Sequence, residues 1–375
     1  MCSRVAESRI VARVTDANVA GKTHLPVDDL AELIRVFDIG EVLDRRHLAD
    51  GLMNMNWRLD TRTGRFALKR VTDVPLGRLR RNLAVLPVLV SRGVPACAPL
   101  PTVSGDVVAA VGGSGYCLFP WSDGEHVRGV DLSLSQVADL GAHLARLHAA
   151  FGRAADVANL PAVPASITIE VTEVGRAVQK ADRLAGAVSA RSSHDAFDAA
   201  AAAALEQRKL LLGKCADLRP EGNIPAGPHG WTHGDFQYRN LLWAGGELAA
   251  VLDWDRLGVR PYAEEVVRTA QVQFSVEGVF DLERVSAFVA GYRSVNPLEP
   301  DVLVDAVRRL WWKRMTDFWQ LEFHYDRDDH SCDELFLADE ALLHWWTDRL
   351  DVVERTFATY HPATIHHSRP IADTA

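Results

Sequence analysis

The feature that constrains this chain most is an ordered set of three oxygen-bearing side chains. Asp235 stands in HGDFQYRN (233–240), Asn240 closes that motif, and Asp253 follows in LDWD (252–255). Between the last two, the run NLLWAGGELAAVLD places an Ala-Gly-Gly breaker between apolar segments, the pattern of a short hairpin. A hairpin folds the chain back on itself, so Asn240 and Asp253 are predicted to meet although they are distant in sequence. Singly, each residue has an ordinary use: Asp235 capping a turn, Asn240 opening a strand, Asp253 sitting in a turn. As an ordered set they supply what phosphoryl transfer to a hydroxyl requires. One carboxylate orients and deprotonates the nucleophile, and an amide oxygen with a second carboxylate holds a divalent cation on nucleotide phosphates.

The rest of the chain reads as two regions of different character. Residues 1–26 lack sustained periodicity and are expected to form a tail. DDLAELIRVFDI then repeats apolar residues at Leu30, Leu33, Ile34 and Phe37, a helix face, with Asp28 placed as an N-cap. WRLDTRTGRFALKRV alternates about a Thr-Arg-Thr-Gly turn and predicts a hairpin ending in the strand 66–71. A helix follows over 78–93, in which Pro87 predicts a kink or a break. A second hairpin spans 106–119 around the turn GGSG, and the breaker cluster PWSDG (120–124) is the expected inter-lobe linker. Beyond it the pattern is mainly helical. Val137, Leu140, Leu144, Leu147 and Phe151 form one stripe, an Ala-rich helix covers 196–212, and VDAVRRLWWKRMTDFW sets Val304, Val307, Trp311, Met315 and Phe318 on another. The paired tryptophans at 311/312 and 345/346 fit a core better than a binding platform.

Length and charge narrow the classes. A chain of 375 residues exceeds the usual span of one core, which predicts two lobes. A formal charge of −9 disfavours nucleic acid and anionic membrane surfaces as partners. Cysteines at 2, 97, 117, 215 and 332 are too far apart for a CxxC pair, and neither an export signal nor a membrane anchor is legible, so a cytoplasmic location is expected. Lys occurs only at 22, 69, 180, 209, 214 and 313, and this Arg-for-Lys bias with abundant Ala points to a GC-rich bacterial genome.

On the HGDxxxxN motif and the following LDWD, the sequence resembles the phosphotransferase family of aminoglycoside, macrolide, choline and homoserine kinases, whose folds are similar to protein kinases. The resemblance spans Val27 to about Leu350. It implies an α+β bilobal protein-kinase-like fold, with a β-rich N-lobe over 27–119 that binds nucleotide, a hinge at 120–124 and a helical C-lobe over 125–375. By the same resemblance Asp235 is the catalytic carboxylate, Asn240 and Asp253 are the magnesium ligands, and Lys69 in FALKR anchors the phosphates of ATP or GTP. Backbone groups near Phe119 to Trp121 would meet the purine. His233 would support the loop, and LDWD in place of Asp-Phe-Gly argues against a protein substrate.

Two departures stand out. The helix after Lys69 holds no acid to pair with it, and Asn82 occupies about the matching place. No GxGxxG precedes the first hairpin, so amides around Gly51 to Asn54 are the expected phosphate cover. Asp255, Trp319 and the acidic segment with Asp326, Asp328 and Asp329 are candidate acceptor contacts, the segment being a solvated loop or a lid favouring cationic acceptors. His148 is expected to be structural, and His366 with His367 to lie in a tail. The expected activity is a magnesium-dependent kinase acting on a small-molecule hydroxyl. An antibiotic is favoured, with a metabolic acceptor such as homoserine, choline or a sugar as the alternative, and a nucleotide-binding regulator without turnover as a weaker one.

Overall fold

The computed structural model describes residues 24–48, 54–72, 74–154 and 160–359. The predicted tail up to residue 23, the segment 51–53 of the expected phosphate cover, and His366 with His367 lie outside them. Contacts divide the chain into two compact units. Of the described residues, one unit holds those up to Arg80 together with Pro99–Trp121, and the other holds Arg81–Ala98 and those from Ser122 to 359. The lobe boundaries expected from the sequence, 27–119 and 125–375, differ from this division in that Arg81–Ala98 groups with the second unit.

In the first unit, α1 (Val27–Phe37) begins after Pro26 with Asp28 and Asp29 in its first turn. Asp28 is therefore inside the helix and not its cap, where its charge still favours the amide end of the helix dipole. β1 (Val42–Leu48), β2 (Met55–Thr61) and β3 (Arg65–Val71) lead into α2 (Leu76–Ala84), whose residues from Arg81 on belong, with α3 (Leu86–Ser91), to the second unit. Pro87 breaks the predicted single helix. It falls in the first turn of α3, where its missing N–H has no partner to lose. β4 (Ala109–Val111) and β5 (Ser114–Pro120) complete an antiparallel sheet in the order β1-β2-β3-β5-β4. Leu33 and Phe37 of α1 pack on Trp57, Leu59, Leu68, Tyr116 and Leu118 from this sheet. The Tyr116 hydroxyl donates to Asp29 Oδ2 at 2.8 Å and ties the helix to the strands.

The second unit is mostly helical. α4 (Leu134–Ala154), α5 (Val174–Ser189) and α6 (Ala196–Lys214) precede four short strands, β6 (His229–Thr232), β7 (Leu241–Ala244), β8 (Glu247–Val251) and β9 (Gly258–Pro261). Then come α7 (Tyr262–Phe274), α8 (Leu282–Arg293), α9 (Pro300–Thr316), α10 (Trp319–Arg327), α11 (Asp333–Asp348) and α12 (Leu350–Ala358). The α4 stripe named above is wholly buried. Its helix crosses α8 closely at two glycines: a Cβ on Gly141 would overlap the Phe288 carbonyl and one on Gly291 the Ala138 carbonyl. Trp311, Trp312 and Trp346 are core residues, and Trp319 is only partly covered, edge-on to Phe323. α6 is fixed to α11 by a buried Arg208–Glu340 ion pair. The Arg208 guanidinium also donates to the carbonyls of Arg314, Met315 and Asp317, capping the end of α9.

The pieces that position the site are local. β6 pairs antiparallel with β9, and β7 pairs with β8 as the predicted hairpin, with Leu241 opposite Val251. The 233–240 loop thus leaves β6 and enters β7, while Asp253 follows β8 directly.

Candidate functional site

His233 is fully buried between these strands, and burial pushes its imidazole pKa down. Its Nε2 lies 2.9 Å from the Leu252 carbonyl, and its Nδ1 lies 3.2 Å from the Asp235 amide. A neutral ring satisfies both, donating from Nε2 and accepting at Nδ1. This ring therefore links the loop carrying Asp235 to the strand end carrying Asp253. Gly234 adopts φ +84°, and a Cβ there would strike the Arg256 carbonyl, so the bend requires glycine.

Glu265 of α7 lies under the same bend, 3 % exposed, and accepts hydrogen bonds from the backbone amides of His233 (3.2 Å) and Gly234. Its Oε2 lies 2.7 Å from Nε2 of His148, whose Nδ1 meets the Tyr292 hydroxyl at 2.8 Å. Burial pushes the Glu265 carboxyl up, but the hydrogen bond to His148 and the Gly234 amide pull the other way, and it lies below its ordinary value. His148 is a buried brace to the loop, stacked on Tyr262.

Around Asp235 every carboxylate oxygen has a donor. Oδ2 accepts from Gln237 Nε2 at 2.9 Å and from Asn240 Nδ2 at 3.0 Å, and Asn240 Nδ2 also donates to the Asp235 carbonyl at 2.8 Å. Oδ1 accepts from Arg268 Nη2 at 2.7 Å, while Arg268 Nη1 reaches the Gly234 carbonyl at 3.2 Å. With its amide hydrogens directed at Asp235, Asn240 has its amide oxygen as the atom able to ligate a cation. The Leu252 amide donates to the Asn240 carbonyl at 2.8 Å, so Asp253 emerges beside Asn240 at the open end of the hairpin. Asp253 itself has φ +59° and leads into the turn Trp254–Arg256. An amide oxygen and a carboxylate on one hairpin end are hard donors of the kind a magnesium-like ion takes, so the donor set fits a divalent cation.

Asn82, buried on α2, donates to the carbonyls of Trp254 (3.4 Å) and Asp255 (3.0 Å) and so holds the turn after Asp253. Asp255 is 2 % exposed, a position inside the fold. Deeper along α7 and α9, Arg314 Nη2 donates to Gln271 Oε1 at 2.5 Å and its Nη1 lies 3.3 Å from Asp339. Burial lowers the Arg314 pKa, and the nearby Arg268 and Arg208 cations act in the same direction. On α7 the Thr269 hydroxyl and both ends of the Gln273 amide are buried without a hydrogen-bond partner.

In the first unit, Lys69 lies on β3 opposite Asn56 and Cys117 and is 8 % exposed. The Asn54 side-chain oxygen accepts from the Thr72 amide at 3.4 Å. Phe119 pairs with Ala67 across the sheet, and the Trp121 amide donates to the Arg65 carbonyl at 3.0 Å. With Pro120 lacking an N–H, two of the three expected hinge positions have no spare amide for a purine. Arg58 and Arg65 lie over the Trp121 ring at 5.7 and 5.9 Å.

The acidic segment runs from the last turn of α10 through an exposed connection to α11. Asp326 lies in the last turn of α10 and pairs with Arg183 of α5 at 2.8 Å, Asp328 caps the helix with φ +52°, and Asp329 accepts from the Ser331 amide at 3.0 Å. Glu265, Arg268 and Gln237 had no legible signal in the sequence: on α7 the first two read as charges on a helix three residues apart.

The arrangement is a kinase-like fold with a loop-borne carboxylate, Asp235, near a hairpin end that carries Asn240 and Asp253. A family model described as "Phosphotransferase enzyme family" matches residues 44–298, and the chain belongs to that family. It is therefore a small-molecule phosphotransferase with a hydroxyl acceptor. It is 23 % identical over 306 residues to a homoserine kinase of Methylobacillus glycogenes, covering 79 % of this chain and 86 % of that one. In fold it is similar to a spectinomycin phosphotransferase solved with ADP and spectinomycin (TM-score 0.62, 14 % identity, 88 % of this chain and 98 % of that one). It is also similar to an amicoumacin kinase solved with AMP-PNP and Ca²⁺ (TM-score 0.58, 15 % identity, 92 % and 98 %). No helix of the described residues is long and apolar enough to cross a membrane.

Proposed function

We propose that this enzyme transfers the terminal phosphoryl group of ATP or GTP to the hydroxyl of a small acceptor bearing a carboxylate, an amino alcohol acid of the homoserine type. The observation that carries this reading is the Arg268 guanidinium, bonded to Asp235 and the Gly234 carbonyl where the acceptor hydroxyl must lie. Two of the five guanidinium N–H groups are spent on Asp235 and Gly234, and the others can donate to an acceptor carboxylate, while the cation disfavours the ammonium groups of a polycationic antibiotic. The homoserine kinase relatives agree in acceptor chemistry.

In this reading Asp235 orients the hydroxyl and accepts its proton as the P–O bond forms. Its ring of three donors fixes the geometry on which a loose phosphoryl-transfer transition state depends. Asn240 and Asp253 would hold Mg²⁺, which when bound neutralises phosphate charge. Lys69 is the residue that the family resemblance gives to the nucleotide phosphates, with Asn54, Phe119 and Trp121 as further nucleotide contacts. Asp255, Asp326, Asp328, Asp329 and Trp319 are the further candidate acceptor contacts; of these Asp255 is buried, and Asp326 is matched by Arg183. The antibiotic alternative rests on composition and on the acidic segment, whose field that pairing weakens.

Incubation of the purified protein with Mg²⁺ and each nucleotide, across acidic, neutral and cationic hydroxyl acceptors, tests this by identification of the phosphorylated product. An amino acid phosphate ester is expected. A phosphorylated aminoglycoside or macrolide as the preferred product would overturn the acceptor assignment and leave the family untouched.

A further inference from the structure

Away from these residues, the α10–α11 connection brings two imidazoles and a carboxylate to one point. His324 Nδ1 lies 2.9 Å from Asp333 Oδ2, His330 Nδ1 lies 3.2 Å from the same oxygen, and the two Nδ1 atoms are 3.1 Å apart. The three donor atoms therefore form a nearly equilateral triangle. Ligands held at about 2.0–2.2 Å by a tetrahedral zinc ion stand roughly 3.3–3.5 Å apart, so the triangle matches one face of such a tetrahedron to within a few tenths of an ångström. His324 Nδ1 also lies 3.0 Å from Asp333 Oδ1, so hydrogen bonding gives each ring N–H its own carboxylate oxygen, but it leaves two protonated nitrogens facing each other at 3.1 Å, which a shared metal ion would not.

We propose that His324, His330 and Asp333 form a binding site for a divalent transition-metal ion, zinc being the ion this donor set fits best. The imidazole nitrogens select against magnesium and calcium, which take oxygen donors, so the site is chemically distinct from the Asn240–Asp253 pair. Its shell is partly built. His324 is buried and stacked on Phe197 of α6 at 4.3 Å, which fixes its ring plane. Asp328 lies 3.4 Å from Nε2 of His330, so that a proton held there leaves the Nδ1 lone pair for the metal. His330 is about half exposed, which leaves the fourth position to water. The ion would pin the turn between α10 and α11 to α6.

One neighbour opposes loading. Arg191 Nη1 lies 3.3 Å from His324 Nε2, and this contact favours the tautomer whose proton is on Nδ1. Metal binding moves that proton to Nε2 and turns the guanidinium away, toward Asp198, which it already approaches at 3.3 Å. Arg191→Gln, which can accept from Nε2–H, should therefore tighten binding several-fold, an effect that a purely structural hydrogen-bond cluster would not produce.

The test is a cobalt titration of the full chain, stripped with chelator and kept in excess Mg²⁺, followed by zinc displacement. One equivalent of Co²⁺ with tetrahedral visible bands, displaced by Zn²⁺, is expected. His330→Ala and Asp333→Asn should each weaken binding at least about tenfold with the far-ultraviolet circular dichroism unchanged, the range seen when a metal site loses a coordinating or supporting group. His366→Ala/His367→Ala should bind as the parent does. No tetrahedral bands, bands undiminished in both site variants, or bands lost with His366 and His367 would each overturn the proposal.

Discussion

Arg268 and Asp235 are joined at 2.7 Å, and the same guanidinium holds the Gly234 carbonyl at 3.2 Å. A cation thus sits on the carboxylate that the proposed mechanism uses, at the position where acceptor charge is felt most strongly. Screening there is incomplete, because the two side chains are only 35 % and 20 % exposed.

The first prediction follows from that pair. Arg268→Gln should raise KM for a carboxylate-bearing acceptor roughly 10- to 100-fold, the value of a charge-assisted hydrogen bond, with a smaller effect on kcat. Steady-state kinetics with nucleotide saturating give the split. An unchanged KM would assign Arg268 to the loop alone.

Asp235→Asn keeps the shape and removes the base. Turnover should fall roughly 10²- to 10⁴-fold while nucleotide affinity stays near that of the parent. Rapid quench with both substrates saturating measures this, and near-parental turnover would remove Asp235 from the chemistry.

At the hairpin end, Asp253→Asn preserves a residue tolerant of positive φ while deleting the charge. Calorimetry should find Mg²⁺-nucleotide affinity lowered at least tenfold, with metal-free nucleotide binding little altered. Equal losses with and without metal would point to a folding defect.

Acid should loosen the loop. His233 has a folded pKa below its ordinary value of about 6.5, so the unfolded chain binds the extra proton first and stability is lost as pH falls below about 6.5. Protonating Nδ1 also breaks its acceptance of the Asp235 amide. Glu265, likewise lowered, adds a loss in the same direction below about pH 4.5. The melting temperature should therefore drop between pH 7 and 5. A flat or rising profile would contradict a neutral buried His233.

Much of this was legible in the sequence, for physical reasons. The hairpin that unites Asn240 with Asp253 is written in apolar alternation about Ala-Gly-Gly, a local code, and the α4 stripe in a helical period. Pro87 announced a break but not its placement in the first turn of α3. What was hidden depends on tertiary contact. Glu265 and Arg268 reach the loop from a helix whose pattern distinguishes them from no other charged surface, and Asn82 is spent on the carbonyls after Asp253. For the acidic segment, a charge count does not reveal Arg183, distant in sequence, opposite Asp326.

The most direct measurement compares homoserine with 3-aminopropan-1-ol, which shares its hydroxyl and ammonium and lacks only the carboxylate. With purified protein, Mg²⁺ and the better nucleotide, kcat/KM should be at least about tenfold higher for homoserine, and Arg268→Gln should abolish most of that preference. Equal use of the two, or a preference for the cationic alcohol, would contradict an acceptor site built around Arg268.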